Sequence, residues 1–306
     1  MAQSFLTYEQ QIYKLVNDKN LIIADKEYAT DALKQIGYFA LIGGYKVLFK
    51  NPTTQKYKDG TKFEDIVALY KFDENLRELF LKYILKIERH LRSVISYYFC
   101  EKYGEHQSFY LDENNFSIYP KYSADVKRLV GELDKLVNQN SDYAYINHHR
   151  NTYNNVPLWV LFNGITFGTL SKFYALMTQD LQFKVSREFN SLSEKQVGQI
   201  LSVVTKFRNV CAHNERLFSY KTKNIIPNLP VHHALKIQRR GSTYDKGIRD
   251  LFAIVIAFKY FLSADDFNKF KISLTNTIDH YIQNTTALSK NDILYAMGFP
   301  ANWEQI

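Results

Sequence analysis

The stretch "FRNVCAHNERLF", residues 207–218, brings together side chains that could do chemistry. Arg208 and His213 are separated by four residues, Asn209 directly follows the arginine, and Arg216 lies just beyond the histidine. These are the parts that phosphodiester cleavage needs. An imidazole removes or returns a proton near neutral pH. A guanidinium holds non-bridging phosphate oxygens and stabilises the charge that develops on them. In RNA the 2′-hydroxyl is an internal nucleophile, so this chemistry does not require a metal ion. One histidine serves poorly as base and acid at once, and two copies meeting across a two-fold axis would supply both. The plainer alternative is a solvated helix face, because an arginine and a histidine at this spacing recur by chance in many helices.

A helix has to position this set. Ser193 with Gln196 resembles a capping box, and the apolar spacing that follows predicts a helix over 194–218. On that helix Ile200, Val203, Val204, Phe207, Val210, Cys211 and Phe218 gather on one side, with Leu217 near its edge. Ser202, Thr205, Lys206, Asn209, His213 and Arg216 gather on the other. Asn209, His213 and Arg216 then stack in one row. Arg208 sits on the flank, about 140° from His213 in an ideal helix, and its long side chain could curl toward the polar side.

The pattern "RNVCAH" resembles the R-x4-6-H signature of HEPN domains, with a polar residue directly after the arginine. Together with "IGYFALIGGYKVLF", "PLWVLFNGITFGTLSKFYALM" and the closing "MGFPANW", the chain resembles the Abi-like family, the AbiD/AbiF group of bacterial abortive-infection proteins. The resemblance extends over nearly the whole chain. It implies an all-helical HEPN fold and a role in defence against phage. The family is considered related to the single-effector RNA-targeting CRISPR nucleases, and some relatives are associated with a small non-coding RNA. Carried over residue by residue, it implies Arg208 and His213 as the catalytic pair and Asn209 as their polar support. No second R-x4-6-H occurs in the chain, so the resemblance implies a homodimer with a composite site. HEPN proteins often place a polar residue from an earlier helix near the motif. Glu88 and Arg92, an i,i+4 pair, are candidates to orient Arg208 or touch phosphate, although a surface ion pair explains them equally well.

The other elements follow from punctuation and periodicity. Thr7 caps a first helix over 8–18, and a second helical stretch starts at about Lys26 and is interrupted at Gly43 and Gly44. Residues 50–63 read as a polar loop. Asp73 is placed as the N-cap of a long helix ending before Gly104, with a continuous apolar stripe from Leu76 to Tyr98. Helices are expected over about 122–140, from Thr166, over 179–189, 247–262 and 266–284, with a short closing helix after Ser289. Residues 141–155 and 221–246 read as polar, exposed segments. No alternating strand pattern of useful length and no internal repeat is present, which predicts an all-α fold: a HEPN-type bundle with additional helices. The expected organisation is one domain over 1–306, its HEPN core spanning about 73–220 plus the helices at about 247–285.

Composition narrows the partners. The 306 residues are 46% hydrophobic, with 12 glycines and 6 prolines, which suits a globular helical protein. The net charge of +8 suits a polyanionic partner such as RNA, although a Lys-rich chain of this kind also follows from AT-rich coding. Arg216 and Lys206 are candidate RNA contacts beside the motif, and Arg239 and Arg240 in "QRRGSTYDK" could steer phosphates or belong to a solvated loop. "NHHR" at 147–150 and "VHH" at 231–233 lack companion ligands at metal-site spacing and read as solvent-facing histidines; no metal or cofactor is implied. Cys100 and Cys211 look like buried small hydrophobes rather than a disulfide framework, which suits the cytoplasm. The polar N-terminus is no signal peptide, and the apolar run 251–262 is too short to span a bilayer. Three functions remain in view: a metal-independent endoribonuclease leaving a 2′,3′-cyclic phosphate, a scaffold that holds a structured RNA without cutting it, and a toxin kept silent by an RNA or protein partner.

Overall fold

The computed structural model describes residues 4–139, 141–189 and 191–306. The first three residues of the polar N-terminus and the expected helix end at residue 140 lie outside them. In chain order the helices begin with α1 (Tyr8–Tyr13), α2 (Lys26–Ile36), α3 (Phe63–Tyr103), α4 (Gln107–Tyr110) and α5 (Ser123–Asn138). They continue with α6 (Ala144–Tyr153), α7 (Leu158–Leu161), α8 (Phe167–Leu176), α9 (Gln179–Ser186), α10 (Glu194–Ala212) and α11 (Pro230–Ala234). A hairpin of β1 (Arg239–Arg240) and β2 (Thr243–Tyr244) precedes α12 (Leu251–Phe261), α13 (Ala264–Gln283) and α14 (Lys290–Met297). The fold is all-α, and the two short strands pair only with each other.

Helix α3 is the axis of the structure. Helices α13, α10, α9 and α8 pack along it, and α10 is further held between α8 and α12. Its inward stripe of Ile66, Leu69, Leu76, Phe80, Ile84, Leu91, Ile95 and Phe99 is fully buried. Helix α12 is apolar all round up to Lys259 in its last turn, and residues 251–258 are sealed from solvent, as a stretch without a polar face requires. The boundaries follow local chemistry. Thr7 and Gln10 cap α1 reciprocally, and Ser193 and Gln196 do the same for α10. Thr166 caps α8, and Gly104 ends α3 at φ 101°, where a Cβ would lie 2.9 Å from the Phe109 ring. The chain passes Gly43 in a π-helical turn, Phe39–Gly43, that packs against α3.

Several expectations fail. Helix α3 starts at Phe63, where the Asp65 carboxylate accepts the Lys62 N–H at 2.8 Å; Asp73 lies inside the helix and is buried. The 141–155 segment contains α6, stitched down by Ile146 at its core face. The 221–246 segment is no exposed excursion, since Ile226, Leu229, Val231, Leu235 and Ile237 are buried. Apolar residues spaced without a helical or strand period still join the core. Among the described residues no helix is long and apolar enough to cross a membrane.

Candidate functional site

Helix α10 stops sooner than its apolar spacing predicts. His213 is the C-cap, with φ −95° and ψ 11°, and Asn214 turns into the left-handed region at φ 57°. The Glu215 N–H donates to the Val210 carbonyl at 3.0 Å and the Asn214 N–H to the Cys211 carbonyl at 3.4 Å. That is a Schellman motif with asparagine in the place usually taken by glycine. The supposed row of Asn209, His213 and Arg216 therefore does not exist: Arg216 lies past the helix end, and its guanidinium donates to the Gly44 carbonyl. Asn209 and His213 remain one turn apart, and both are exposed. On the other side of the helix Phe207 and Val210 are buried, and burial pushes the Cys211 thiol up to about 12, which makes it an inert filler.

The chain after His213 is held by a residue that reads as a cap in the sequence. Asp73 accepts the backbone N–H of Leu217 at 2.9 Å and of Phe218 at 2.6 Å, the Tyr45 hydroxyl at 2.7 Å and Arg77 Nη1 at 2.9 Å. Burial raises the Asp73 carboxyl above its ordinary value, and Tyr45, the two backbone donors and the Arg77 guanidinium work against that rise. Arg77 also reaches the Glu215 carbonyl at 3.4 Å. The turn that presents His213 is thus anchored to α3 from below. The available sequence signal was an i,i+4 acid–base pair, Asp73 and Arg77, on the apolar face of a long helix.

Glu88, about three turns beyond Arg77 along α3, is buried beside Arg208. Its Oε1 accepts Arg92 Nη2 at 2.5 Å, and its Oε2 lies 3.9 Å from Arg208 Nε. Arg92 Nη2 also donates to the Ile165 carbonyl at 2.9 Å, in the loop that leads into α8. The Glu88 side chain is 4% exposed and that of Arg208 28%. One carboxylate is therefore shared between two guanidiniums, and Glu88 Oε2, Arg208 Nε and Arg92 Nε have no hydrogen-bond partner among the described residues. The cluster carries a surplus positive charge next to solvent, where an anion would be stabilised. The structure brings Glu88, Arg92 and Arg208 into one group, with Asn209 and His213 on the adjoining exposed surface.

Other sequence candidates lie apart. Lys206 is exposed on α10. Arg239 and Arg240 form β1, and Arg239 stacks over the Tyr244 ring at 5.0 Å. Among the described residues no hydrogen bond or ion pair joins that hairpin to Arg208, Asn209 or His213. Of the "VHH" histidines, His232 is not in solvent. It is 0% exposed, stacks on Tyr244 at 4.7 Å, and bonds the Gly247 carbonyl through Nε2 at 2.9 Å. His148 and His149 sit on α6, not in a loop, with their rings 5.9 Å apart. Among the described residues no group of three or more His, Cys, Asp or Glu side chains is arranged to hold a metal ion.

No curated protein and no solved structure matches this chain. The family description of Abi-like proteins matches residues 31–219. That range opens in α2, includes Asp73, Glu88 and Arg92 on α3, and closes directly after the segment that Asp73 anchors. The chain belongs to the Abi-like protein family.

Proposed function

We propose that this protein acts in abortive infection against phage, in the manner of the AbiD/AbiF group, as a metal-independent HEPN endoribonuclease. The observation that carries the reading is the pairing of a tethered cation with an exposed proton carrier at one helix end. Arg208 is oriented from behind by Glu88, which Arg92 holds in turn, and His213 stands free in solvent at the C-cap of α10. In the proposed reaction His213 takes the proton of the ribose 2′-hydroxyl, and the 2′-oxygen attacks phosphorus. The bond to the 5′-oxygen breaks, and that oxygen leaves with a proton from the His213 of a second copy. The products are a 2′,3′-cyclic phosphate and a 5′-hydroxyl. Arg208 holds the phosphate oxygens as their charge rises, and Asn209 positions phosphate or imidazole. Membership of the family supports the abortive-infection role; the cleavage, the homodimer and any small non-coding RNA partner are part of this proposal.

Incubation of purified protein with labelled RNA in EDTA tests it. Cleavage by wild type and its loss in Arg208→Ala and His213→Ala are expected. Equal cutting by wild type and His213→Ala would remove the assignment. A second reading, an RNA-holding scaffold, draws on the +8 charge and on the surplus cation at Arg208, which serve binding as well as cutting. RNA that copurifies intact and stays intact would favour it.

A further inference from the structure

Far along the chain from the motif, four lysines converge on one pocket of about 460 Å3. Lys14 and Lys19 come from the end of the first helix and its π-helical continuation, and Lys46 and Lys50 from the segment before the 50–57 turn. Each is half-buried, no Asp or Glu lines the pocket, and among the described residues none of the four is in an ion pair. Elsewhere several lysines are neutralised by carboxylates, as Lys86 is by Asp266, Lys102 by Asp180 and Lys290 by Asp279, whereas Lys50 lies over the Tyr57 ring at 5.6 Å. Here the backbone holds like charges together. The Tyr57 N–H donates to the Lys19 carbonyl at 2.8 Å, and Tyr57 forms an antiparallel bridge with Lys50. Burial, with Lys46 and Lys19 nearby, holds Lys50 below the usual lysine value. Like charges fixed in a partly desolvated site cost stability unless an anion offsets them.

A second, independent observation points the same way. Tyr57 is 2% exposed and lines the pocket, and its hydroxyl is buried without a hydrogen-bond partner among the described residues. A buried donor is rarely left unsatisfied, and a phosphate oxygen would accept from it. We propose that this pocket binds a polyphosphate group, the triphosphate of a free nucleotide or of an RNA 5′ end. Lysine ammoniums suit it as mobile point charges, and four of them match a multiply charged chain better than a single orthophosphate. The volume lies within the range of small-molecule sites. Gln11 Oε1, a second buried atom of the pocket lining with no partner among the described residues, is an acceptor that a ribose hydroxyl could satisfy.

Titration calorimetry on the full chain tests this with inorganic tripolyphosphate, ATP, orthophosphate, and one short RNA carrying either a 5′-triphosphate or a 5′-hydroxyl. Tripolyphosphate should bind wild type well ahead of orthophosphate. In Lys46→Gln/Lys50→Gln its affinity should fall about 100-fold, roughly tenfold per lysine. Tyr57→Phe, which keeps the ring and its packing, should lose roughly threefold to tenfold. The control Lys223→Gln/Lys236→Gln removes the same charge from exposed positions and should stay within about twofold. Without ligand, Lys50→Gln should melt higher than wild type, since repulsion is relieved. Preference for the 5′-triphosphate RNA over ATP would identify the RNA end as the source, and the reverse a free nucleotide. Absence of tripolyphosphate binding, or equal losses in the pocket and control variants, overturns the proposal.

Discussion

Asp73 accepts the backbone N–H of Phe218 at 2.6 Å across 145 residues of chain. With the Leu217 N–H at 2.9 Å on its other oxygen, it pins the segment that follows His213 to the first third of α3. A carboxylate buried to this degree is tolerated only because Tyr45, Arg77 and two backbone groups donate to it. Asp73→Asn leaves Arg77 without its counter-charge and should cost about 3–5 kcal/mol in urea unfolding. Asp73→Asn combined with Arg77→Met should cost less than the sum of the two single changes, because the pair acts as a unit. Additive losses would show that the two residues are independent.

On the proposed RNA cleavage, Arg208→Lys should behave like a deletion. Lysine keeps the charge but not the planar fork that can face Glu88 and a phosphate together. A loss of about 100-fold in kcat/KM is expected, with the melting temperature near wild type because the side chain is partly exposed. His213→Ala should abolish cutting and change stability by no more than about 0.5 kcal/mol, as at other surface positions. A large stability loss in His213→Ala would mean that the imidazole has a structural task instead.

Glu88 is expected to be a positioning residue. Glu88→Gln keeps the shape and removes the charge shared by Arg92 and Arg208. It should lower kcat by about tenfold at saturating RNA, well below its melting temperature, while KM changes little. A purely structural role would lower the melting temperature and leave kcat of the folded fraction unchanged.

His232 and Asp250 should give opposite pH signatures. Burial lowers the His232 pKa, so the unfolded chain takes up a proton before the native one does. Its stabilising contribution is complete above about pH 6.5 and is lost as pH falls below that. His232→Gln should flatten the decline in chemical denaturation between pH 7 and 5. Equal slopes in variant and wild type would contradict a buried neutral imidazole.

Burial pushes the Asp250 carboxyl up to about 6, against the pull of the Gly247 and Ala253 N–H groups. Here the native state binds the proton more tightly than the unfolded chain, so stability is greatest at low pH and declines as pH rises from about 4 to about 6. Relative to Asp250→Asn, wild type should lose on the order of 3 kcal/mol over that interval. At the same place Gly298, at φ 79°, leaves room for the carboxyl: a Cβ there would lie 2.3 Å from Asp250 Cγ. Gly298→Ala should cost more than the roughly 1 kcal/mol of a left-handed alanine alone. A thermal shift no larger than that of a surface change would show that α14 and α12 can part without cost.

Much of this protein is legible along the chain. The capping pair Ser193–Gln196, the stop at Gly104 and the apolar run of α12 are local signals; the first two fix the helix ends they mark, and α12 forms on its run but starts at Leu251 rather than at about 247. The residues of the candidate site, Arg208, Asn209 and His213, were equally visible as types and spacing. Where Asp73 belongs was not, because an aspartate at a helix start and an aspartate buried within one look alike until partners 144 and 145 residues away arrive. The end of α10 turned on Asn214 adopting a left-handed conformation, which apolar periodicity does not report. Only the packing of α10 against α3 could set Glu88 beside Arg208, and only the folding back of 14–57 could crowd four lysines around Tyr57. Sequence determines which groups a segment offers and which face it hides; which charges meet is decided by contacts between distant segments, whose energies local propensity does not contain.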